Sequence, residues 1–435
     1  MGDGNKIKIL SLSDSYNVPT GYGRVMRELI QRINKDKFEF FHFGKQNLGM
    51  PGWVGTPLNS FYKSAEQLHD EARTSFDLND KASFARWFRK EFCRNLPMGG
   101  SSDGGDVWQQ NFDLVKPDIT FTLLDMWMYN FILEKDLSPS KWVMYFPLDG
   151  VPVPQGCHKH LLKADVPIAM TEFGKKTAEE YEYFEQAENK YYTLGNRLSK
   201  PIQCIYHGVD TNTYYPLSKK EREELRAKEG TSDKFVIGMV SRNQPRKMLP
   251  IMFKMFAKFS KKNRNSLMHL HCDPHDQQGF DLINLGVQYK IQDKIRYTKM
   301  PSYKWGLTDE QMNSIYNLFD VHSVSSTGEG FGLTIPESMA AGIPNVWPDY
   351  TTPKELIADS GIAVPLSTLV MGSMNVDRGM VDLVKYEEAL QYLYDNPGER
   401  ERMGKRAREL AVERYDWDKV IVPKWEALFE KVVSE

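Results

Sequence analysis

The sequence predicts an α/β protein built from two Rossmann-like domains that face a cleft. Three observations carry this. A strand, a glycine turn and an amphipathic helix open the chain: KIKILSLS from Lys6, then Gly21-Tyr22-Gly23, then Val25, Leu29, Ile30 and Ile33 at helical spacing. Short apolar runs follow, of the kind found in a parallel sheet covered on both faces. A second strand–helix series then starts afresh at KFVIGMVS, from Lys234. With 435 residues the chain exceeds what one hydrophobic core ordinarily serves.

Taken in order, Phe38 to Phe43 reads as the second strand. Residues of about 44–115 form an irregular insertion. Within it DKASFARWFRKEF puts Phe84, Trp87, Phe88 and Phe92 on one helical face. That face is expected to be core; a docking surface for acceptor or membrane is the alternative. LPMGGSSDGGDVW is rich in glycine and serine and reads as a loop. DITFTLL, KWVMYFPLD, VPIAM and PIQCIY continue the first sheet. The polar run HGVDTNTYYPLSKKEREELRAKEGTSDK reads as the linker. LMHLHC, IRYTKM, DVHSVSS and IPNVW are further strands of the second sheet, and two helices, ERERMGKRARELAVERY and DWDKVIVPKWEALFEKVV, follow them. The expected boundaries are 1–212 and 213–415 for the two domains, with 416–435 packing back on the first.

Bulk properties narrow the function. A net charge of −2 argues against broad electrostatic binding of nucleic acid. Cys93, Cys157, Cys204 and Cys272 form no CxxC pair, so neither a zinc knuckle nor a disulfide framework is indicated. Reduced thiols and a cytoplasmic location are expected. MGDGNKIKIL holds no apolar run of signal-peptide length, and no apolar window suits a membrane span.

Four stretches carry candidate chemistry. Gly21-Tyr22-Gly23 lies between strand and helix, where backbone N–H groups can face an anion, although the fixed spacing of GxGxxG is missing. A bare structural turn is the alternative. In IGMVSRNQPRKML, Arg242 and Lys247 follow a strand and suit a diphosphate, the arginine as a bidentate donor and the lysine as a point charge. Arg246 beside them reads as a solvated basic residue. HLHCDPHD gathers His269, His271, Asp273, His275 and Asp276, but no other cluster completes a metal site, so a polar loop at the cleft rim is expected and no metal is assigned.

The fourth stretch is EGFGLTIPES, from Glu329 to Ser338. TIPE matches a capping box, with Thr334 as N-cap and Glu337 reaching back to its N–H. That device leaves Glu329 and the two glycines unexplained. A phosphate near the N–H groups of Gly332, Leu333 and Thr334 would account for the glycines. A carboxylate also accepts well from two vicinal hydroxyls.

Together these pieces resemble a retaining glycosyltransferase of family 4, with the GT-B fold. SSTGEGFGLTIPESMAAGIPNV is similar to the family's E-x7-E segment, IGMVSRNQPRKML to its Arg/Lys element, and IYHGVDTNTYYP to its interdomain stretch. The resemblance implies an acceptor-binding first domain and a nucleotide-sugar-binding second domain. It places Gly21 and Gly23 against the donor phosphate or acceptor, Arg242 and Lys247 on the diphosphate, and Glu329 on the transferred sugar. Phe331, Gly332, Leu333 and Thr334 would touch sugar and phosphate, Glu337 the ribose, and Lys299 and Met300 the base. Many members carry a histidine near the anomeric carbon. Here YFPLDGVPVP has none, and Asp149 is the nearest polar candidate for a catalytic role, with an Asp-Gly turn as the alternative.

The expected reaction is metal-independent transfer of a hexose, with retention, from a UDP- or GDP-sugar to an acceptor hydroxyl, glucose or mannose being the first choices. No tightly bound cofactor is implied. Acceptor glycan, lipid-linked sugar, protein and modified nucleic-acid base all stay open, as does peripheral membrane contact through Arg86 to Arg94. The alternatives are a sugar-nucleotide-binding partner protein without transferase activity and a DNA-base-modifying glucosyltransferase.

Overall fold

The computed structural model describes residues 6–16, 18, 20–45, 56–57, 92–96, 100–299 and 307–435. The expected helix through Phe84, Trp87 and Phe88, and Met300 at the expected base site, lie outside these residues; Phe92, expected on the same helical face, opens a strand instead.

Two parallel sheets dominate. The first holds β1 (Ile7–Asp14), β2 (Phe38–Lys45), β3 (Thr56–Pro57), β4 (Phe92–Asn95), β5 (Ile119–Leu123), β6 (Lys141–Phe146) and β7 (Val166–Ala169). A small hairpin, β8 (Glu182–Glu185) with β9 (Lys190–Thr193), precedes its last strand, β10 (Gln203–Cys204). The strand order is β10-β7-β6-β5-β1-β2-β4-β3, and only the β3–β4 pair is antiparallel. Strand β1 shows why the layers form. Its side chains alternate, so Ile9 enters the core under the helix Gly21–Arg32, with Val25, Leu29 and Ile30. Leu10 and Leu12 enter the opposite core, with Trp108 and Phe112 of the helix Trp108–Val115.

The second sheet is wholly parallel: β11 (Phe235–Val240), β12 (Ser266–His271), β13 (Ile295–Tyr297), β14 (Val321–Ser323), β15 (Asn345–Pro348) and β16 (Gly361–Val364). Its order, β13-β12-β11-β14-β15-β16, is the doubly wound 3-2-1-4-5-6 arrangement. The order reverses between β11 and β14, so the loops leaving those strands diverge and open a crevice. An antiparallel hairpin that the sequence reading did not anticipate, β17 (Leu366–Met371) with β18 (Asp377–Val381), follows β16.

The linker is more ordered than its polarity suggests. Ser218 and Glu221 form a true capping box on the helix Lys219–Lys228. Arg226 is buried there, donating to the carbonyls of Leu318 and Thr231 and pairing with Asp320 at 3.1 Å. The charge run is therefore a packed helix of the second domain rather than a solvated tether. The chain crosses between domains a second time beside the first crossing: Val209 N–H donates to Tyr415 C=O at 2.7 Å, and Trp417 N–H to Val209 C=O at 3.2 Å. Beyond this point the helix Val422–Ser434 lays Trp425 and Phe429 on the first sheet, against Phe121, Tyr145 and Phe38. Among the described residues no helix is long and apolar enough to cross a membrane.

Candidate active site

The crevice between β11 and β14 collects the charged groups. After β11 the chain makes a short turn, Pro245–Lys247, before the helix Leu249–Lys262. The loop after β14 is stitched to that turn by small hydroxyls. Ser325 Oγ donates to Met248 C=O at 2.9 Å and Thr327 Oγ1 to Arg246 C=O at 3.0 Å. This lashing fixes the cations of one loop beside the carboxylate of the other. Glu329 is buried and ion-paired with Lys247, and Arg246 lies 3.1 Å from its second oxygen. Burial alone would raise the Glu329 pKa, but the two cations outweigh it and bring it down to about 2.

Asp149, in the loop after β6, faces the same cations from the first domain. It lies 3.7 Å from Arg246 and 2.9 Å from Arg378 of β18. Arg378 also donates to the Asp149 carbonyl at 2.7 Å. The domains meet closely here. A Cβ on Gly330 would stand 2.6 Å from Pro147 Cβ, and one on Gly328 would collide with the Asp149 carbonyl. Gly330, expected to leave room for phosphate, thus admits the first domain. Gly332, at φ +90°, is the one glycine of this segment whose backbone demands its type.

Glu337 corrects the capping-box expectation. Thr334 is the first residue of the helix Thr334–Ala340, not its N-cap, and Leu333 in that place makes no side-chain cap bond. The Glu337 carboxylate turns away from the helix start. It accepts from Arg24 at 2.7 Å and from the Tyr316 hydroxyl at 2.6 Å. Arg24 sits one residue past the glycine turn and reaches across from the first domain, also meeting Asp309 and the Tyr214 hydroxyl at 2.8 Å each. Burial raises the Glu337 pKa against the pull of Arg24 and Tyr316.

Other expected residues lie elsewhere. Arg242 is on the rim, its side chain 55% exposed, held by Asp276 at 2.8 Å and Gln278 at 3.1 Å. Gly23 is unavailable to a phosphate, because its N–H donates to Thr20 Oγ1 and a Cβ there would meet Ser15 C=O at 2.5 Å. Gly21 starts the helix and faces Leu333 across the domain boundary. Phe331 is buried edge-on against His207, 4.6 Å between centroids, so its ring packs between the domains. Lys299 is exposed just beyond β13. His269 donates to or accepts from Thr298 inside the sheet, and among the described residues no group of three or more His, Cys, Asp or Glu is placed to hold a metal. His160 lies on a helix, buried against Tyr129 and Trp142, away from the crevice.

The sequence reading missed Arg246, Arg24, Tyr316 and Arg378. Arg246 was visible as a neighbour of Lys247. Arg24 was visible as a cation opening an otherwise amphipathic helix. The partners of both are fixed only by tertiary contact.

Comparison with known proteins matches the geometry. The sequence profile described as glycosyl transferases group 1 matches residues 221–410. Those residues are similar to that family's sequences. The match begins within the helix Lys219–Lys228 and takes in the β11 turn and both glutamates. Mannosylfructose-phosphate synthase of Agrobacterium fabrum is 28% identical over 153 residues, covering 34% of this chain and 32% of that protein. The D-inositol 3-phosphate glycosyltransferase of Kribbella flavida is 24% identical, covering 54% and 52%. The chain thus spans between 28% and 52% of the length of the curated relatives it matches. Among solved structures, a sucrose-phosphate synthase from Thermosynechococcus elongatus superposes with a TM-score of 0.69 at 14% identity, covering 99% of this chain and 100% of that one. Anabaena HepE in complex with UDP gives 0.66 at 15% identity, covering 98% and 100%. The fold is GT-B.

Proposed function

We propose that the protein transfers a hexose from a nucleoside diphosphate sugar to an acceptor hydroxyl, with retention and without a metal. One observation carries this most: Arg246 and Lys247 converge on buried Glu329 at the switch point, opposite Asp149 of the other domain. The difficult step is departure of the diphosphate from an oxocarbenium-like carbon. Lys247, Arg246 and, from the rim, Arg242 would stabilise that charge, which is the largest service such a site renders. These cations make a divalent ion unnecessary in this reading. Glu329, kept ionised by them, would accept from the sugar's hydroxyls. Glu337 would accept from the ribose by exchanging Arg24, and exposed Lys299 would border the base.

Same-face attack needs no strong enzyme base, because the departing phosphate oxygen takes the acceptor proton. We therefore assign Asp149, engaged by two guanidinium groups, to positioning them. The close approach of Gly328 and Gly330 to the 147–149 loop would exclude water, the competing acceptor. The Anabaena neighbour was solved with UDP, which makes a UDP-sugar the first donor to test; glucose is the first sugar, and GDP-mannose the second donor. The scattered cysteines favour a cytoplasmic location.

The test is nucleotide release from UDP-glucose and GDP-mannose in excess chelator with candidate acceptor hydroxyl compounds present, and NMR of the anomeric centre of the glycoside formed. An α-linked product without metal supports the reading. An inverted product, or turnover only with added metal, overturns that part of it.

A further inference from the structure

We propose that Asp14 and Asp125, at the C-terminal edge of the first sheet, bind the acceptor through its hydroxyl groups, and that this acceptor is a small sugar or polyol without a phosphate. The inference rests on the transferase reading and names the chemical class of its acceptor. The first sheet reverses its strand order at β1, with β2 on one side and β5, then β6, on the other. The loops leaving β1 and β5 diverge there, the place where open α/β sheets take their ligands. Asp14 ends β1, and Asp125 follows β5.

The carboxylates gather around one hydroxyl. Tyr22 Oη donates to Asp125 Oδ1 at 2.9 Å, and the charges of Asp125, Asp149 and Asp14 all act on it. Asp14 is 5% exposed, and among the described residues its Oδ1 has no hydrogen-bond partner. A buried carboxylate oxygen without a donor is costly, and a ligand hydroxyl supplies the donor. Tyr22 and Asp125 are half-buried, so the edge is not sealed. Asp125 also feels Asp149 and Arg246, which sets it beside the groups assigned to the transferred sugar.

Charge decides what the acceptor can be. Asp149 is engaged by Arg246 and Arg378. Asp14 and Asp103 share Lys45, whose Nζ donates to Met128 C=O at 2.9 Å. His42, with a ring nitrogen 3.1 Å from Asp14 C=O, is buried and held neutral, its pKa lowered to about 4. Burial raises the Asp125 pKa, and Asp149 and Asp14 add to that against Tyr22 and Arg246. The edge is thus short of positive charge. A phosphate brought to it would face like charge from Asp14, Asp103 and Asp125. Hydroxyl groups would instead donate to these carboxylates, each of which accepts more than one. With the other hydroxyls held, the free one reacts. Its oxygen bonds to the anomeric carbon as the bond from that carbon to the diphosphate oxygen breaks, and its proton passes to the leaving diphosphate.

The test compares glucose with glucose 6-phosphate, and myo-inositol with myo-inositol 1-phosphate, as acceptors. The readout is nucleotide release above the rate without acceptor, on whichever of UDP-glucose and GDP-mannose is hydrolysed. In at least one pair the unphosphorylated member should be preferred at least about tenfold in kcat/KM, through charge repulsion of the other. Asp125→Asn should raise the KM of the preferred acceptor at least about fivefold and shrink the preference to within about threefold. A merely structural defect would slow both members alike and leave their ratio. Asp14→Asn should shrink the ratio in the same direction, which keeps the test open if the first variant does not fold. A preference for the phosphorylated members overturns the proposal, as does a ratio that both variants leave intact. So does hydrolysis of the donor that no member of either pair accelerates. Failure of the transferase reading shows separately, as absence of nucleotide release with and without acceptor.

Discussion

Glu329 and Glu337 end the same short segment and meet opposite surroundings. Glu329 is held by Lys247 and Arg246, both of its own domain, and its carboxylate is kept ionised. Glu337 is held by Arg24 of the other domain and by Tyr316, and burial wins over them to raise its pKa. One carboxylate is therefore prepared within a rigid loop. The other has its charge compensated only while the domains are together. The difference teaches that an E-x7-E spacing fixes where two carboxylates stand, while the cations from elsewhere in the chain decide how each behaves.

The largest expected effect breaks the stronger side. Glu329→Gln leaves two cations without their carboxylate in a buried site, so it should cost about 3–5 kcal/mol in denaturant unfolding. If Glu337→Gln, which leaves Arg24 its bond to Asp309, costs as much, the comparison is wrong; about 1–2 kcal/mol is expected for it. Next comes turnover. Lys247→Ala should lose about 2.7–4 kcal/mol of barrier stabilisation, read as kcat on the donor that is hydrolysed. Arg242→Ala, at the rim and already paired with Asp276, should lose less. An equal loss would place both cations on the diphosphate.

Arg24→Ala isolates the interdomain half. Removing it should destabilise the protein by about 1–3 kcal/mol and enlarge the radius of gyration in solution scattering, with Arg24→Lys recovering part of the change. An unchanged radius would show that the remaining interdomain contacts, such as Arg378 on Asp149 and the close approach at Gly328 and Gly330, keep the cleft shut without Arg24. The smallest effect is in pH dependence. Glu329, with its folded pKa depressed, gives stability that is whole above the ordinary carboxylate value of 4.5 and is lost as pH falls toward about 2. Glu337, with its pKa raised, runs the other way: its contribution is present below 4.5 and is lost as pH rises through the folded value. Melting temperatures of Glu337→Gln against wild type should therefore diverge in the variant's favour as pH rises from 4 to 7. Convergence would remove the asymmetry.

Much of the scaffold was legible in the chain because strand burial leaves local marks. KIKILSLS, KFVIGMVS and the runs between them are apolar at strand length, and the helix after Gly21 repeats its apolar residues at helical spacing. The site was legible only as spacing. Glu329 and Lys247 stood out, but the capping box at Thr334 looked complete and was not formed, since a buried carboxylate gains more from Arg24 and Tyr316 than from one backbone N–H. Arg246 reads as solvated from the sequence because nothing local says that a neighbouring arginine turns inward. The β17–β18 hairpin went unseen because Leu366–Met371 is mostly exposed and carries no buried alternation. Its turn uses Met374 and Asn375 at positive φ in place of an Asn-Gly signal.

The return of the helix Val422–Ser434 to the first sheet bears on how the molecule is made. Phe121 and Tyr145 leave the ribosome long before Trp425, the ring that covers them. Until that helix arrives, the first domain carries an open aromatic face, the sort of surface on which nascent chains associate wrongly. Cutting the chain between its two sheets would part that face from its cover. The halves are thus expected to stay soluble when produced together and to aggregate when the first is produced alone.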